Sequence, residues 1–166
     1  MSFNETSLKL YITGVPGTGK TSVAKRLSEL LNLKYIEIND FVLEKKVFLG
    51  YDIDRGSLII DDELLIPILN SAVENSNRIC LSGDMLALNR YFNYIIILHC
   101  KIDILRKRLA KRGYKKIKIE SNIETEIMNI LYYDAVEFFP NIPIIEINND
   151  INSVEETCEK IISIIR

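Results

Sequence analysis

The 166-residue sequence predicts an α/β domain of three layers, with five strands sandwiched between helices. Three observations predict it. Short aliphatic runs alternate with helical patterns, which argues for βαβ units and a parallel sheet. One run, residues 94–98, is almost wholly aliphatic, as a strand buried on both faces should be. The first run passes into Gly14-Val15-Pro16-Gly17-Thr18-Gly19-Lys20-Thr21, a glycine-rich turn between a strand and an amphipathic helix.

Taken in order, residues 8–13 form the first strand. The helix after it places Val23, Leu27, Leu30 and Leu31 on one face, with Lys25, Arg26 and Glu29 toward water. Residues 33–38 read as the second strand. Asn39 or Asp40 then caps a short helix over about 41–48, which Gly50 breaks. Tyr51-Asp52-Ile53-Asp54-Arg55-Gly56 is polar and irregular. It reads as a surface loop, or as part of a second substrate site, because it follows the strand beside the first. Asp61-Asp62-Glu63 starts a helix with acids in the first turn, where the macrodipole favours them. Pro67 should make that helix start late or kink.

Residues 78–82 form the third strand. Gly83 and Asp84 follow at its carboxyl end, the edge where open α/β sheets bind ligands. The fourth strand, 94–98, ends at His99, the only histidine, which reads as a structural hydrogen-bonder rather than a catalyst. Residues 102–112 form a helix with Ile102, Leu105 and Leu109 inward and Gly113 at the C′ position. Ser121-Asn122-Ile123-Glu124 is a capping box that opens a long helix, with Ile123, Ile127, Leu131 and Phe138 near one face and Pro140 closing it. Residues 143–147 are the fifth strand. Ser153-Val154-Glu155-Glu156 is a second capping box, and the last helix runs to about 165.

The turn fills every fixed position of G-x-x-x-x-G-K-T. Its glycines let backbone N–H groups converge on phosphate oxygens, and the next helix aims its positive dipole end at the same anion. Lys20 is expected to reach the β- and γ-phosphates and the Thr21 hydroxyl to ligate Mg²⁺. The segment 106–118 carries Arg106, Lys107, Arg108, Lys111, Arg112, Lys115, Lys116 and Lys118. Alone it could be a solvated helix face. Beside a phosphate-binding turn, a phosphate clamp is favoured.

Composition narrows the partners. Lys+Arg number 21 against Asp+Glu 23, a net charge of −2, so no strong direct nucleic-acid signal is present. Cys80, Cys100 and Cys158 are odd in number and show no C-x-x-C pattern, which fits a reducing cytoplasm. The first seven residues carry no basic-then-apolar signal pattern, and no apolar run approaches membrane-spanning length. The expectation is one domain over residues 1–166, cytoplasmic and away from membranes.

Further runs carry a family resemblance. Leu33-Lys34-Tyr35-Ile36 leads into Asn39-Asp40-Phe41 and then Gly50-Tyr51-Asp52. Later come Arg108-Leu109-Ala110-Lys111-Arg112-Gly113-Tyr114 and Asn122-Ile123-Glu124-Thr125-Glu126-Ile127. Over nearly its whole length the chain resembles the archaeal and eukaryotic adenylate kinase family typified by isoenzyme six. These are atypical nucleoside monophosphate kinases linked to small-subunit ribosome maturation. The resemblance implies a P-loop NTPase fold with a five-stranded parallel sheet, a monophosphate-binding region at about 37–60 and a short lid at about 111–121. It implies Mg²⁺-dependent transfer of the ATP γ-phosphoryl group to AMP, with weak ATPase activity. For eukaryotic members it implies a small-subunit ribosomal protein partner of the uS11 type.

Two departures from the family pattern stand out. Ser82-Gly83-Asp84 occupies the place of an acidic residue, any residue, then His. Either Asp84 supplies a carboxylate for Mg²⁺ or the hydrolytic role of that motif is weakened. Leu43 stands where many members carry an arginine, and Lys45 or Lys46 lacks the bidentate fork that would replace it.

The expected donor site is Gly14, Pro16, Gly17, Thr18, Gly19, Lys20, Thr21 and Ser22, with Arg112 closing from the lid. Lys20, Arg112, Asp84 and Arg108 are the expected catalytic groups, Thr21 and Asp84 the Mg²⁺ ligands. Asn39, Asp40, Lys45, Tyr51 and Asp52 are expected around the acceptor. AMP is itself an anionic nucleophile, so no general base is required. The competing readings are an ATP-driven assembly factor that releases a ribosomal protein, and a small-metabolite kinase with Asp40 or Asp52 as base.

Overall fold

The computed structural model describes residues 7–89 and 91–165. The expectation about a leader falls mostly on residues 1–6, outside the described residues. Among the described residues no helix is long and apolar enough to cross a membrane.

Five strands form one parallel sheet in the order β2-β5-β1-β6-β7: β1 (Leu8–Thr13), β2 (Lys34–Glu37), β5 (Arg78–Ser82), β6 (Tyr94–His99) and β7 (Ile144–Asn148). The fold class read from the sequence is the one observed. Alternation along β1 sends Leu8, Leu10 and Ile12 to one face and Tyr11 to the other. The first face packs under α1 (Lys20–Leu31) and α7 (Val154–Ile165), through Val23, Ala24, Leu27, Cys158 and Ile161. The second packs under α2 (Ile38–Lys45), α3 (Asp62–Glu74) and α6 (Ile130–Phe138), through Val42, Leu65, Leu69, Ala135 and Phe139. Each fully buried Leu or Ile contributes roughly 1.5–3 kcal/mol. A smaller cluster of Val15, Leu105, Leu109 and Ile123 seats the glycine-rich turn on α4 (Ile102–Lys111) and α5 (Lys116–Ile127). On α1, Leu30 is exposed and Ala24 takes the inward place expected of it.

Several local expectations are corrected. α2 begins at Ile38, and its cap is the Glu37 carboxylate, which accepts from Asp40 N–H at 2.9 Å, not Asn39 or Asp40. Burial of Ile38 against Gly83 draws the helix start back to the strand end. The helix also stops earlier, at Lys45. Phe48 and Gly50 belong to β3 (Phe48–Asp52), which pairs antiparallel with β4 (Ser57–Ile60). The irregular stretch 51–56 is therefore a hairpin end and its turn. α3 starts without delay at Asp62, capped by Asp61, and continues past Pro67 to Glu74. Ser121 is not a helix start. α5 begins at Lys116, and the long helix breaks at Asn129, whose φ of 51° is left-handed, so Ile127 points to water. The second capping box forms as read, with Ser153 N–H on Glu156 Oε2 at 2.7 Å and Glu156 N–H on Ser153 Oγ at 3.2 Å. The three cysteines are free and buried.

Candidate functional site

The turn after β1 is built to lie flat. A side chain on Gly14 would come within 2.6 Å of the Leu98 carbonyl oxygen, and one on Gly17 within 2.9 Å of Leu105. Thr18 turns inward, its hydroxyl donating to Val15 O at 2.9 Å. Gly19, at a left-handed φ of 92°, is the N-cap of α1, so α1 begins at Lys20 with its first N–H groups at the turn.

The turn is tied down from behind by groups no sequence motif marks. Buried Asn149, just past β7, donates from Nδ2 to Thr18 O at 2.7 Å and accepts the Thr157 hydroxyl on Oδ1 at 2.8 Å. Arg108 donates to Gly17 O and Asn149 O, each at 3.1 Å, and to Asp150 O. Arg108 thus stands behind the turn rather than among the cleft-lining residues, which corrects its expected place beside Arg112.

In front of the turn opens a cleft of about 780 Å³. Gly14, Pro16, Lys20 and Thr21 line its donor end, Asp84 its flank, and Arg112 reaches it from the end of α4. Asn39 and Tyr51 line the far side. The structure brings these eight expected residues to one space. Gly17, Thr18 and Gly19 form the body of the turn behind that lining, and Ser22 is exposed outside it.

Three of the residues expected around the acceptor lie away from the cleft lining. Asp40 is exposed on α2 and off the cleft. Lys45 pairs with Glu44 at 2.7 Å and lines a separate groove with Phe41 and Pro67. Asp52 turns into the hairpin, where Oδ1 accepts Arg55 N–H at 2.9 Å. The hairpin and α5 bring Arg55, Ser57 and Lys118 to the cleft instead. The signal for Arg55 was its place in the stretch after β2.

The electrostatics centre on Lys20, which is 9% exposed. Burial pushes its ammonium below the usual lysine range. The Asp84 and Glu37 carboxylates oppose that, and Arg112 adds to it. Glu37 lies half-buried on the cleft wall, and burial raises its carboxyl above the usual range against the opposing Asp40 N–H bond. Asp84 is held through its backbone: the buried Tyr11 hydroxyl donates to Asp84 O and accepts Leu86 N–H at 3.0 Å. Ser82 is buried and bonded to the Tyr35 hydroxyl at 3.0 Å.

His99 lies outside the cleft, bridging Glu126 Oε1 at 3.1 Å and Glu146 Oε2 at 3.0 Å. It staples the end of β6 to α5 and β7, and the Glu126 bond chiefly raises its pKa. Its position agrees with the structural reading of the sequence.

A family model described as "AAA domain" matches residues 10–129. "Putative adenylate kinase" of Methanocaldococcus jannaschii is 33% identical over 159 residues, covering 96% of this chain and 86% of the relative. "Adenylate kinase isoenzyme 6 homolog FAP7" of Saccharomyces cerevisiae is 34% identical over 144 residues, covering 85% and 73%. Among solved structures, shikimate kinase from Bacteroides thetaiotaomicron superposes with a TM-score of 0.66 at 19% identity, covering 95% of this chain and 98% of that one, a likeness of fold. With the glycine-rich turn, Lys20, Asp84 and Arg112 around one cleft, the chain belongs to the archaeal and eukaryotic adenylate kinase family typified by isoenzyme six and is a phosphotransferase of the P-loop nucleotide kinase type.

Proposed function

We propose that the protein transfers the γ-phosphoryl group of ATP to AMP, forming two ADP. The observation that carries this reading is the single cleft shared by Lys20, Thr21, Asp84 and Arg112 at one end and Asn39 and Tyr51 at the other. The relatives named as adenylate kinases support the same reading.

Phosphoryl transfer needs in-line positioning and charge neutralisation more than covalent help. The turn 14–21 cradles the ATP phosphates with its N–H groups, and Ser22 stands one position further on α1. Lys20 is buried at the turn, and the Asp84 and Glu37 carboxylates favour its charged form there, so its charge faces the transferred group in a water-poor site. Arg112, on the exposed end of α4, closes onto the same phosphates. Arg108 acts one step back, fixing the turn through Gly17 O.

The donor set suits Mg²⁺. Thr21 and Asp84 both reach the cleft, and among the described residues no group of three or more His, Cys, Asp or Glu forms a dedicated metal cage. Mg²⁺ is commonly held by a hydroxyl or one carboxylate together with substrate phosphates and water. When bound, it would screen the β- and γ-phosphate charge. Asp40 and Asp52, the bases offered for a hydroxyl-bearing acceptor, are not among the cleft-lining residues, so that reading would have to use another carboxylate there, such as Glu37 or Asp134.

The test is ADP production from ATP with Mg²⁺ and no acceptor, with each nucleoside monophosphate, and with a purified uS11-type ribosomal protein. AMP should stimulate most. Stimulation by the ribosomal protein alone would replace the kinase reading with the assembly-factor one.

A further inference from the structure

The acceptor half of the cleft holds an arginine in the β3–β4 turn. Arg55 lines the cleft from the hairpin side, whereas Arg112 and Lys118 reach it from the end of α4 and from α5. Its backbone is fixed within the turn. Arg55 N–H donates to Asp52 Oδ1 at 2.9 Å and Gly56 N–H to Asp52 O at 2.7 Å, with Gly56 at a left-handed φ of 61°. The turn is also fixed from across the cleft. Lys115 Nζ donates to Ile53 O at 2.9 Å and Lys118 Nζ to Gly56 O at 3.3 Å.

The guanidinium itself is barely engaged. Its nearest carboxylate, Asp52 Oδ2, is 3.9 Å from Nε, and the side chain is 72% exposed. A positioned backbone carrying an open fork of N–H donors is what a planar, multidentate anion site requires. No other arginine on the hairpin or on α2 competes for this role, since 37–60 contains only Arg55. Lys45, in the same stretch, pairs with Glu44 and lines a separate groove.

We propose that Arg55 grips the phosphate of the nucleoside monophosphate acceptor, a proposal that rests on the kinase reading above. The monophosphate must come close to the anionic γ-phosphoryl group. Arg55 offsets that repulsion from the acceptor side, as Lys20 and Arg112 do from the donor side. Lys115 and Lys118 bond carbonyls of the turn, so the segment after α4 helps to hold Arg55 in place.

The experiment compares wild type with Arg55→Ala and Arg55→Lys. It uses two readouts: steady-state ADP formation with AMP and ATP varied separately, and calorimetric titration with AMP and with adenosine. Arg55→Ala should raise KM for AMP by about 10- to 100-fold while KM for ATP moves less than about twofold, and Arg55→Lys should recover only part of the loss. In the titration, the preference of wild type for AMP over adenosine should shrink in Arg55→Ala. Unchanged KM for AMP and an unchanged preference would overturn the proposal while leaving the kinase reading intact. A wild type that binds AMP through Arg55 but forms no ADP would overturn the kinase reading alone. A wild type that binds no monophosphate would overturn both.

Discussion

Replacing Asn149 with alanine tests the idea that the phosphate-binding turn is held from behind. The side chain is buried and bridges Thr18 O at 2.7 Å and the Thr157 hydroxyl at 2.8 Å. Alanine leaves both of those groups unpaired in a dry site. Each unsatisfied buried group costs roughly 1–3 kcal/mol, so the variant should lose about 2–6 kcal/mol. That is a large part of the ~5–15 kcal/mol that holds a domain of this kind together. In urea, with a slope of about 1–3 kcal/mol per molar, the midpoint should fall by at least about 0.7 M.

The comparison variant is Thr157→Val. It removes one donor to Oδ1 and leaves the bond to Thr18 in place, so its loss should be about 1–2 kcal/mol. The two variants share a partner, so their effects should not add. Function should separate them as well. Asn149→Ala frees Thr18 and raises KM for ATP, whereas Thr157→Val changes it little. A midpoint within about 0.3 M of wild type, with KM for ATP unchanged, would refute the clamp.

Other perturbations read other parts of the site. Lys20→Ala should lower phosphoryl transfer by about 10²–10³-fold or more with the circular dichroism spectrum retained, and retained activity would remove Lys20 from its role. Gly14→Ala forces a Cβ to 2.6 Å from the Leu98 carbonyl oxygen, so urea melts should show a loss of about 1–3 kcal/mol; a wild-type midpoint would contradict the close approach. His99 has a raised folded pKa, so its two-carboxylate bridge stabilises fully below the ordinary value near 6.5 and fades as pH rises through the folded value. His99→Gln should therefore cost more stability at pH 6 than at pH 9, and an equal cost at both would show that the charge contributes nothing.

The parallel sheet was legible because its strands are buried on both faces and so appear as aliphatic runs. Residues 95–98 are fully buried, as a central strand of a covered parallel sheet should be. The donor turn was legible because backbone geometry there demands glycine, and Lys20 and Thr21 sit at fixed offsets from it. The hairpin was not legible. Leu49, Tyr51 and Ile53 are exposed, so β3 lacks the one-sided burial that gives a strand its pattern. The cap of α2 was misplaced because Asn39 and Asp40 are the better local caps, while the choice is made by burying Ile38 beside Gly83. The Ser121 box satisfies a local rule, but Ile119 and Ile123 pack with Val15, Leu105 and Leu109, and that contact carries the helix back to Lys116. Asn149 and Arg108 could not be read as clamps from sequence, since their partners are backbone carbonyls far away in the chain.

The direct test of transfer from ATP to AMP is stoichiometry: incubate purified protein with ATP, Mg²⁺ and limiting AMP, and count ADP formed and AMP consumed. Two ADP should form for each AMP consumed, with formation abolished by chelating Mg²⁺. ADP formed together with free phosphate, at a rate AMP does not change, would contradict that transfer.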